Sequence, residues 1–191
     1  MYKWSNKQLL DTLKVGGGNN ILKFSAGSEK VEVYLEDGDI ARVAVLRDGE
    51  NNIIIDKKDC RHVVVGEGNT QRDVYHYLTP GGPTQTMRLG ITKHCGKNTW
   101  SSLPHHFELE TEPGFEEVFF YILKGGPERA IQVGRGVWYD NVPVDAVWPV
   151  RSHTFGTVPM GYHPVVGEPE VCVSYVWVYL AKKDKWEKVK K

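Results

Sequence analysis

Side chains able to hold a divalent cation concentrate in two short stretches. One is SSLPHHFELETEPGFEEVFFYIL and the other, nearer the C-terminus, is GYHPV. A mononuclear metal site inside a small β-barrel needs three or four ligands pointing inward from neighbouring strands. Strand side chains alternate between faces, so two ligands on one strand stand two residues apart. His106 and Glu108 meet that condition, and Glu110 continues the same face. Glu117 opens a later strand-like run, with Glu116 beside it on the opposite face, and His163 precedes the last long run. Two imidazoles and two carboxylates suit a divalent transition metal such as Zn, Mn, Fe or Ni. Spacing alone is weakly specific, and each residue has a plain reading beside this one. His105 or His106 fits a hydrogen-bonded histidine at a barrel mouth, Glu108 a solvated carboxylate, Glu117 a rim carboxylate and His163 a turn cap.

The elements that would position these residues read almost entirely as strands and turns. KVEVYLEDGDIARVAVL alternates around Glu36-Asp37-Gly38-Asp39, a hairpin signal. NNIIIDKKDCRHVVVGEG holds two short β-branched runs. RDVYHYLT, TMRLGITKH, EEVFFYIL, AIQVGRGVWYD, DAVWPV and EVCVSYVWVYLA follow, separated by PGGP, EPG, GGP and GEP. Only WSNKQLLDTLK reads as a helix, with Ser5 as N-cap. Many short strands with Gly/Pro turns predict an all-β sandwich or small barrel. The weak seam at Gly66-Glu67-Gly68-Asn69 predicts a β-rich extension over 1–68, a barrel over 69–182 and a basic tail over 183–191. No internal repeat or low-complexity segment interrupts this plan.

The bulk composition removes several classes of function. Lys plus Arg and Asp plus Glu balance at 24 each, which gives no general attraction to nucleic acid or an anionic membrane. The chain of 191 residues, 40% hydrophobic, is long enough for a packed core. No apolar stretch approaches the ~20 residues of a membrane helix, and the polar N-terminus lacks the apolar centre of a signal peptide. Cys60, Cys95 and Cys172 form neither a disulfide framework nor a CxxC zinc pair, and are expected as reduced thiols in the cytoplasm.

TMRLGITKH, NTWSSLPHHFE, EEVFFY and VPMGYHPV together resemble the sugar-acid isomerase family of the cupin superfamily, which comprises 5-deoxy-glucuronate isomerase and 5-keto-4-deoxyuronate isomerase. The ordered combination of WSS-x-P-x-H, E-E-V-aromatic-aromatic-Tyr and GYHP covers residues 72–180. The resemblance implies a cupin-type jelly-roll barrel with a reduced N-terminal half. It also implies a metal on a His-x-His pair, a Glu before the V-aromatic-aromatic strand and a later His. By position these fall on His106, Glu108, Glu117 and His163, with Glu108 standing where the family has its second His. Shifting the register by one residue would put His105 first and Phe107 second, and Phe cannot ligate.

The implied reaction interconverts an aldehyde and a ketone in a deoxy-uronic acid by moving a proton between adjacent carbons. A general base within hydrogen-bond reach must carry that proton, and Glu108, Glu110, Tyr121 and Tyr162 are candidates. The substrate carboxylate needs a cation; Arg88 and Lys93 are preferred over Arg129 and Arg151 because TMRLGITKH reads as a barrel strand. Trp100 and His105 are further candidates for lining a sugar-sized pocket. In SYVWVYL, Tyr175, Trp177 and Tyr179 share one face and the valines the other, and one face is expected to meet a partner barrel in a homodimer or larger homo-oligomer. Two other functions fit the same resemblance: a different metal chemistry (dioxygenase, epimerase or lyase), or a non-catalytic sugar-binding or assembly cupin.

Overall fold

The computed structural model describes residues 13–18, 20–101, 117–138, 142–158 and 160–181. The expected helix falls mostly on residues outside this set, as does the basic tail. Leu13 and Lys14, its last two residues, begin a strand instead.

The first sheet is an antiparallel meander of five strands: β1 (Leu13–Gly18), β2 (Ile21–Ala26), β3 (Glu29–Glu36), β4 (Asp39–Leu46) and β5 (Ile53–Asp56). Its central hairpin turns on Asp37 and Gly38, at φ 50° and 72°. Positive φ at both central residues matches the twist of a two-residue hairpin loop, which is why Asp-Gly stands there. Leu22, Phe24, Val31, Val33, Val43 and Val45 are buried on one face, while Lys23 and Glu32 form an ion pair at 3.1 Å.

The chain continues through β6 (Arg61–Val65), β7 (Arg72–Leu78), β8 (Met87–His94), β9 (Trp100–Ser101), β10 (Glu117–Lys124) and β11 (Arg129–Val137). It ends with β12 (Pro143–Arg151), β13 (Phe155–Val158), β14 (Met160–Tyr162), β15 (Val165–Gly167) and β16 (Cys172–Leu180). The second sheet runs in the order β13-β10-β16-β8-β7-β6, and the third β12-β11-β15-β9 with β14 also pairing β11. Strand β6 already belongs to the second sheet, so the chain changes sheet between Asp56 and Arg61, ahead of the expected seam.

The second sheet is the middle layer of three. Its strands β10 and β16 read as nearly continuous apolar runs because both faces are covered, the pattern expected of a doubly buried strand. Val118, Phe120, Ile122, Val176 and Val178 join Leu89 and Ile91 in a core shared with the first sheet. Phe119, Tyr121, Leu123, Val173, Tyr175 and Trp177 face the other way, into a core shared with Ala130, Val150 and Val165. The expectation that one face of SYVWVYL meets a partner barrel is therefore corrected: both faces of β16 are covered within its own chain. Trp177 packs so closely over β8 that a Cβ on Gly90 would lie 2.3 Å from its ring and 2.3 Å from the Tyr75 carbonyl. Only glycine fits between them.

Burial of each Val, Leu, Ile or Phe side chain contributes about 1.5–3 kcal/mol, so apolar packing dominates the docking of the first sheet. Polar clasps set its register. Asp39 accepts from Lys57 at 2.7 Å and from Lys93 at 2.6 Å, and Tyr77 donates to the Ile40 carbonyl at 3.0 Å. Glu29 closes the far end. Its carboxylate accepts from the Met87 N–H at 3.0 Å, the Thr86 N–H at 3.2 Å, the Thr86 hydroxyl at 2.6 Å and the Gln85 N–H. Glu29→Ala is expected to destabilise the protein by about 1–3 kcal/mol, the cost of stripping a charged acceptor from several donors. An unchanged urea midpoint, with the Met87 amide still protected from hydrogen exchange, would show that the clasp contributes nothing.

Candidate functional site

Glu117 opens β10, and His163 lies in the turn that joins β14 to β15. Gly161 sets that turn. Its φ is 115°, and a Cβ there would meet the Arg135 carbonyl oxygen at 2.8 Å and Gly136 Cα at 3.1 Å. The Gly161 carbonyl lies 2.8 Å from His163 Nδ1. A carbonyl only accepts, so Nδ1 carries the proton and donates. Pro164 favours an extended His163 and its carbonyl accepts from the Val133 N–H at 2.8 Å, leading the chain into β15. The imidazole thus presents Nε2 to Glu117 Oε2, 3.2 Å away. His163 is 1% exposed and Glu117 8%. The ring of Phe119 stands edge-on to His163 with centroids 6.0 Å apart.

Register places Arg88 on the same face as Glu117. Val118 pairs with Val178 and Val178 with Leu89, so one residue along, Glu117, Tyr179 and Arg88 share a row across three strands. Neighbouring strands are about 4.8 Å apart, which puts the two backbones about 10 Å apart. Arg88 is completely buried and donates from Nη1 to the carbonyls of Thr84 at 3.3 Å and Met87 at 3.2 Å. Tyr121, also buried, donates from its hydroxyl to Gln132 Oε1 at 3.1 Å.

Deeper in the same interior, the Tyr175 hydroxyl donates to Ser101 Oγ at 3.1 Å, and Ser101 Oγ lies 2.6 Å from His94 Nε2. Burial pushes His94 down to about 3 and His76 down to about 4, with Arg72 and Arg61 adding to the effect in turn. Both rings are neutral in the folded protein, while the unfolded chain takes up protons near 6.5. Their contribution is whole above that value and is lost as the pH falls from 6.5 toward 4. Each histidine is expected to cost about 2 kcal/mol of stability by pH 5. Asp39 and Asp73, whose carboxyls sit below their usual range through bonds to lysine and histidine, act only in stronger acid. Urea midpoints at pH 7.5, 6 and 5 check this: a steep fall that His94→Gln flattens is the expected result, and a level profile contradicts it.

The structure brings Glu117, His163, Arg88 and Tyr121 to one interior. It directs three other candidates elsewhere. Lys93 is five residues from Arg88 and so faces the first sheet, where Asp39 binds it. Tyr162 pairs with Arg135 on the outer side of the third sheet and is 37% exposed. Trp100 takes the face opposite buried Ser101, so it is Ser101 that looks inward. His105, His106, Glu108 and Glu110 lie outside the described residues. Among the described residues, no group of three or more His, Cys, Asp or Glu could hold a metal ion. No described helix is long and apolar enough to cross a membrane, and Cys60, Cys95 and Cys172 are free thiols.

Gln132, Ser101 and His94 were not anticipated. One signal for Gln132 was available: in AIQVGRG the apolar Ile131 and Val133 alternate with Gln132 and Gly134, which reverses the usual assignment of apolar side chains to the interior.

An all-β jelly roll with an N-terminal β-rich extension and an inward imidazole–carboxylate pair defines a cupin-type protein. The chain belongs to the KduI/IolB family, whose family model matches residues 21–191. That match begins in β2 and so takes in most of the first sheet. An IolB-like protein from Salmonella typhimurium LT2 shares the fold with a TM-score of 0.59 at 19% identity, over 83% of this chain. This chain spans 65% of that protein's length. A predicted oxalate decarboxylase from Thermotoga maritima aligns with a TM-score of 0.48 at 10% identity, over 68% of this chain and 99% of its own. A cupin-2 domain from Rhodospirillum rubrum aligns with a TM-score of 0.43 at 15% identity, over 69% of this chain and 76% of its own. No curated protein sequence matches this one.

Proposed function

We propose that the chain is a metal-dependent isomerase that interconverts the aldehyde and ketone forms of a deoxy-uronic acid or a related sugar acid. Membership of the KduI/IolB family supports the isomerase class. The observation that carries the metal is the buried contact of His163 Nε2 with Glu117 Oε2 at 3.2 Å, with Nδ1 already committed to Gly161. Two acceptors facing each other in a dry interior call for a proton or a metal ion between them, and the metal is the reading proposed here. His163 and Glu117 would hold Zn, Mn, Fe or Ni, with His106 and Glu108 completing the set. When bound, the metal supplies Lewis-acid polarisation of the substrate carbonyl.

The chain's own residues do the rest. The Arg88 guanidinium binds the substrate carboxylate from the row that it shares with Glu117. Phe119, Tyr175 and Trp177 wall the interior and exclude water. With Glu108 in the ligand set, Glu110 takes the proton from one carbon and returns it to the next, through an enediol.

The test is elemental analysis of untagged protein together with turnover of 5-deoxy-glucuronate and 5-keto-4-deoxyuronate. Near-stoichiometric metal with aldehyde–ketone exchange is the expected result. Protein that stays metal-free after reloading sinks the proposal in favour of a sugar-binding cupin. Metal with turnover of other small acids only would move it to another metal chemistry.

A further inference from the structure

The route by which His163 is held in place crosses the interior from one sheet to the other. Gln132 on β11 is completely buried. Its Nε2 lies 2.6 Å from the His163 carbonyl, 3.1 Å from the Val133 carbonyl and 3.2 Å from the Pro164 carbonyl. Carbonyl oxygens only accept, so the amide nitrogen must be on this side and Oε1 on the other. There Oε1 accepts from the Tyr121 hydroxyl at 3.1 Å. Tyr121 is itself pinned, because Gly156 leaves room for its ring: a Cβ at Gly156 would lie 3.0 Å from Tyr121 Cε2 and 3.1 Å from its oxygen. The run from Tyr121 through Gln132 to the 161–164 turn therefore ties β10, which carries Glu117, to the turn that carries His163.

We infer that Gln132 is a positioning residue: it sets the His163 imidazole against Glu117 through the His163 backbone, with Tyr121 fixing the orientation of its amide. Tyr121 then belongs to this strut, and its hydroxyl proton is committed to Gln132 Oε1 and not available as a base. The inference rests on the metal-site reading for its functional weight, but the positioning itself is a property of the chain. Residues behind a metal ligand characteristically change metal affinity by about 10- to 100-fold when removed.

The variants are Gln132→Met, which keeps the bulk and removes both polar ends, Gln132→Glu, which keeps the acceptor for Tyr121 and removes the amide donor, and Tyr121→Phe. Two readouts apply to each: Zn²⁺ affinity by calorimetry, and the ¹⁵N signals of the His163 ring in metal-free protein, which report its Nδ1–H tautomer. Gln132→Met is expected to weaken Zn²⁺ binding about 10- to 100-fold and to shift the His163 signals toward a tautomer mixture. Tyr121→Phe should move both in the same direction by less. A folded Gln132→Met protein with neither readout changed overturns the inference. If that variant does not fold, unchanged readouts in both Gln132→Glu and Tyr121→Phe overturn it equally. Wild-type protein that binds no Zn²⁺ would remove the metal reading alone: altered His163 signals in the variants would still support positioning by Gln132, and unaltered ones would end it.

Discussion

Glutamine in place of Glu117 is expected to give a protein that binds no metal yet melts at a higher temperature than the metal-free wild type. The reason lies in which atoms face each other. His163 Nδ1 donates to the Gly161 carbonyl, so the lone pair of Nε2 is turned toward Glu117 Oε2 at 3.2 Å. Without a proton on Nε2 both atoms are acceptors, and only a proton or a metal ion between them makes the contact favourable. A glutamine amide would supply an N–H donor to Nε2 and remove a charge from a site that is almost fully buried. The gain should be about 1–2 kcal/mol, or about 2–8 °C for a chain of this size. Metal affinity should fall by more than the 10- to 100-fold typical of losing a residue behind a ligand, because on the proposed reading a ligand itself is lost. His163→Ala makes the complementary test. It should lose the metal as completely, but it should also lose stability, because it leaves a cavity where the buried imidazole packs against Phe119. Elemental analysis and thermal melts of both variants decide the matter: Glu117→Gln protein that retained stoichiometric metal would remove Glu117 from the site.

Much of the architecture was legible because local chemistry and tertiary packing agree. Asp37-Gly38 marks the central hairpin through the positive φ that both residues adopt. The β-branched runs became strands within a residue or two of where they were expected. Side-chain direction was harder to read, because strand alternation fixes relative faces and not which face is inside. Arg88 and Lys93 illustrate this: an odd separation sends them to opposite sides of β8, and only the position of the first sheet decides that Arg88 faces the interior between the second and third sheets. In β16 the valines and the aromatics are both buried, since the strand lies in the middle of three layers, and no periodicity in SYVWVYL distinguishes a dimer face from a second core. The short strands β9, β13, β14 and β15, of two to four residues, carry too few side chains to show a pattern. Ser101 and Gln132 escaped notice for a related reason: a single buried polar residue has meaning only through its partners, and those are distant in sequence.

Methionine in place of Arg88 is expected to leave metal content unchanged and to lower kcat/KM for a sugar acid by about 30- to 1000-fold, mostly through KM. Arg88 lies in a row with Tyr179 and Glu117, and on the proposed reading a small sugar acid held at one end by the Glu117–His163 pair reaches it. A buried guanidinium is costly to hold, and its planar fork matches a carboxylate in a way that a point charge does not. The carbonyls of Thr84, just ahead of β8, and of Met87, its first residue, accept from Nη1 and steady the side chain. Truncating one partner of a buried charge pair typically costs about 2–5 kcal/mol, and 2–4 kcal/mol corresponds to the stated range at about 1.4 kcal/mol per tenfold. The loss should appear in KM because the carboxylate is bound equally in the ground state and in the transition state; it lies away from the carbons that exchange the proton. Arg88→Lys separates charge from geometry, since it keeps the cation without the fork, and should recover only part of the activity. A sugar lactone or alcohol of the same size, which lacks the carboxylate, should bind wild type and Arg88→Met alike. If Arg88→Met turned over the sugar acid with unchanged KM while the fold and the metal were intact, the cation for the substrate would have to be sought elsewhere, and Arg88 would be left with a structural role alone.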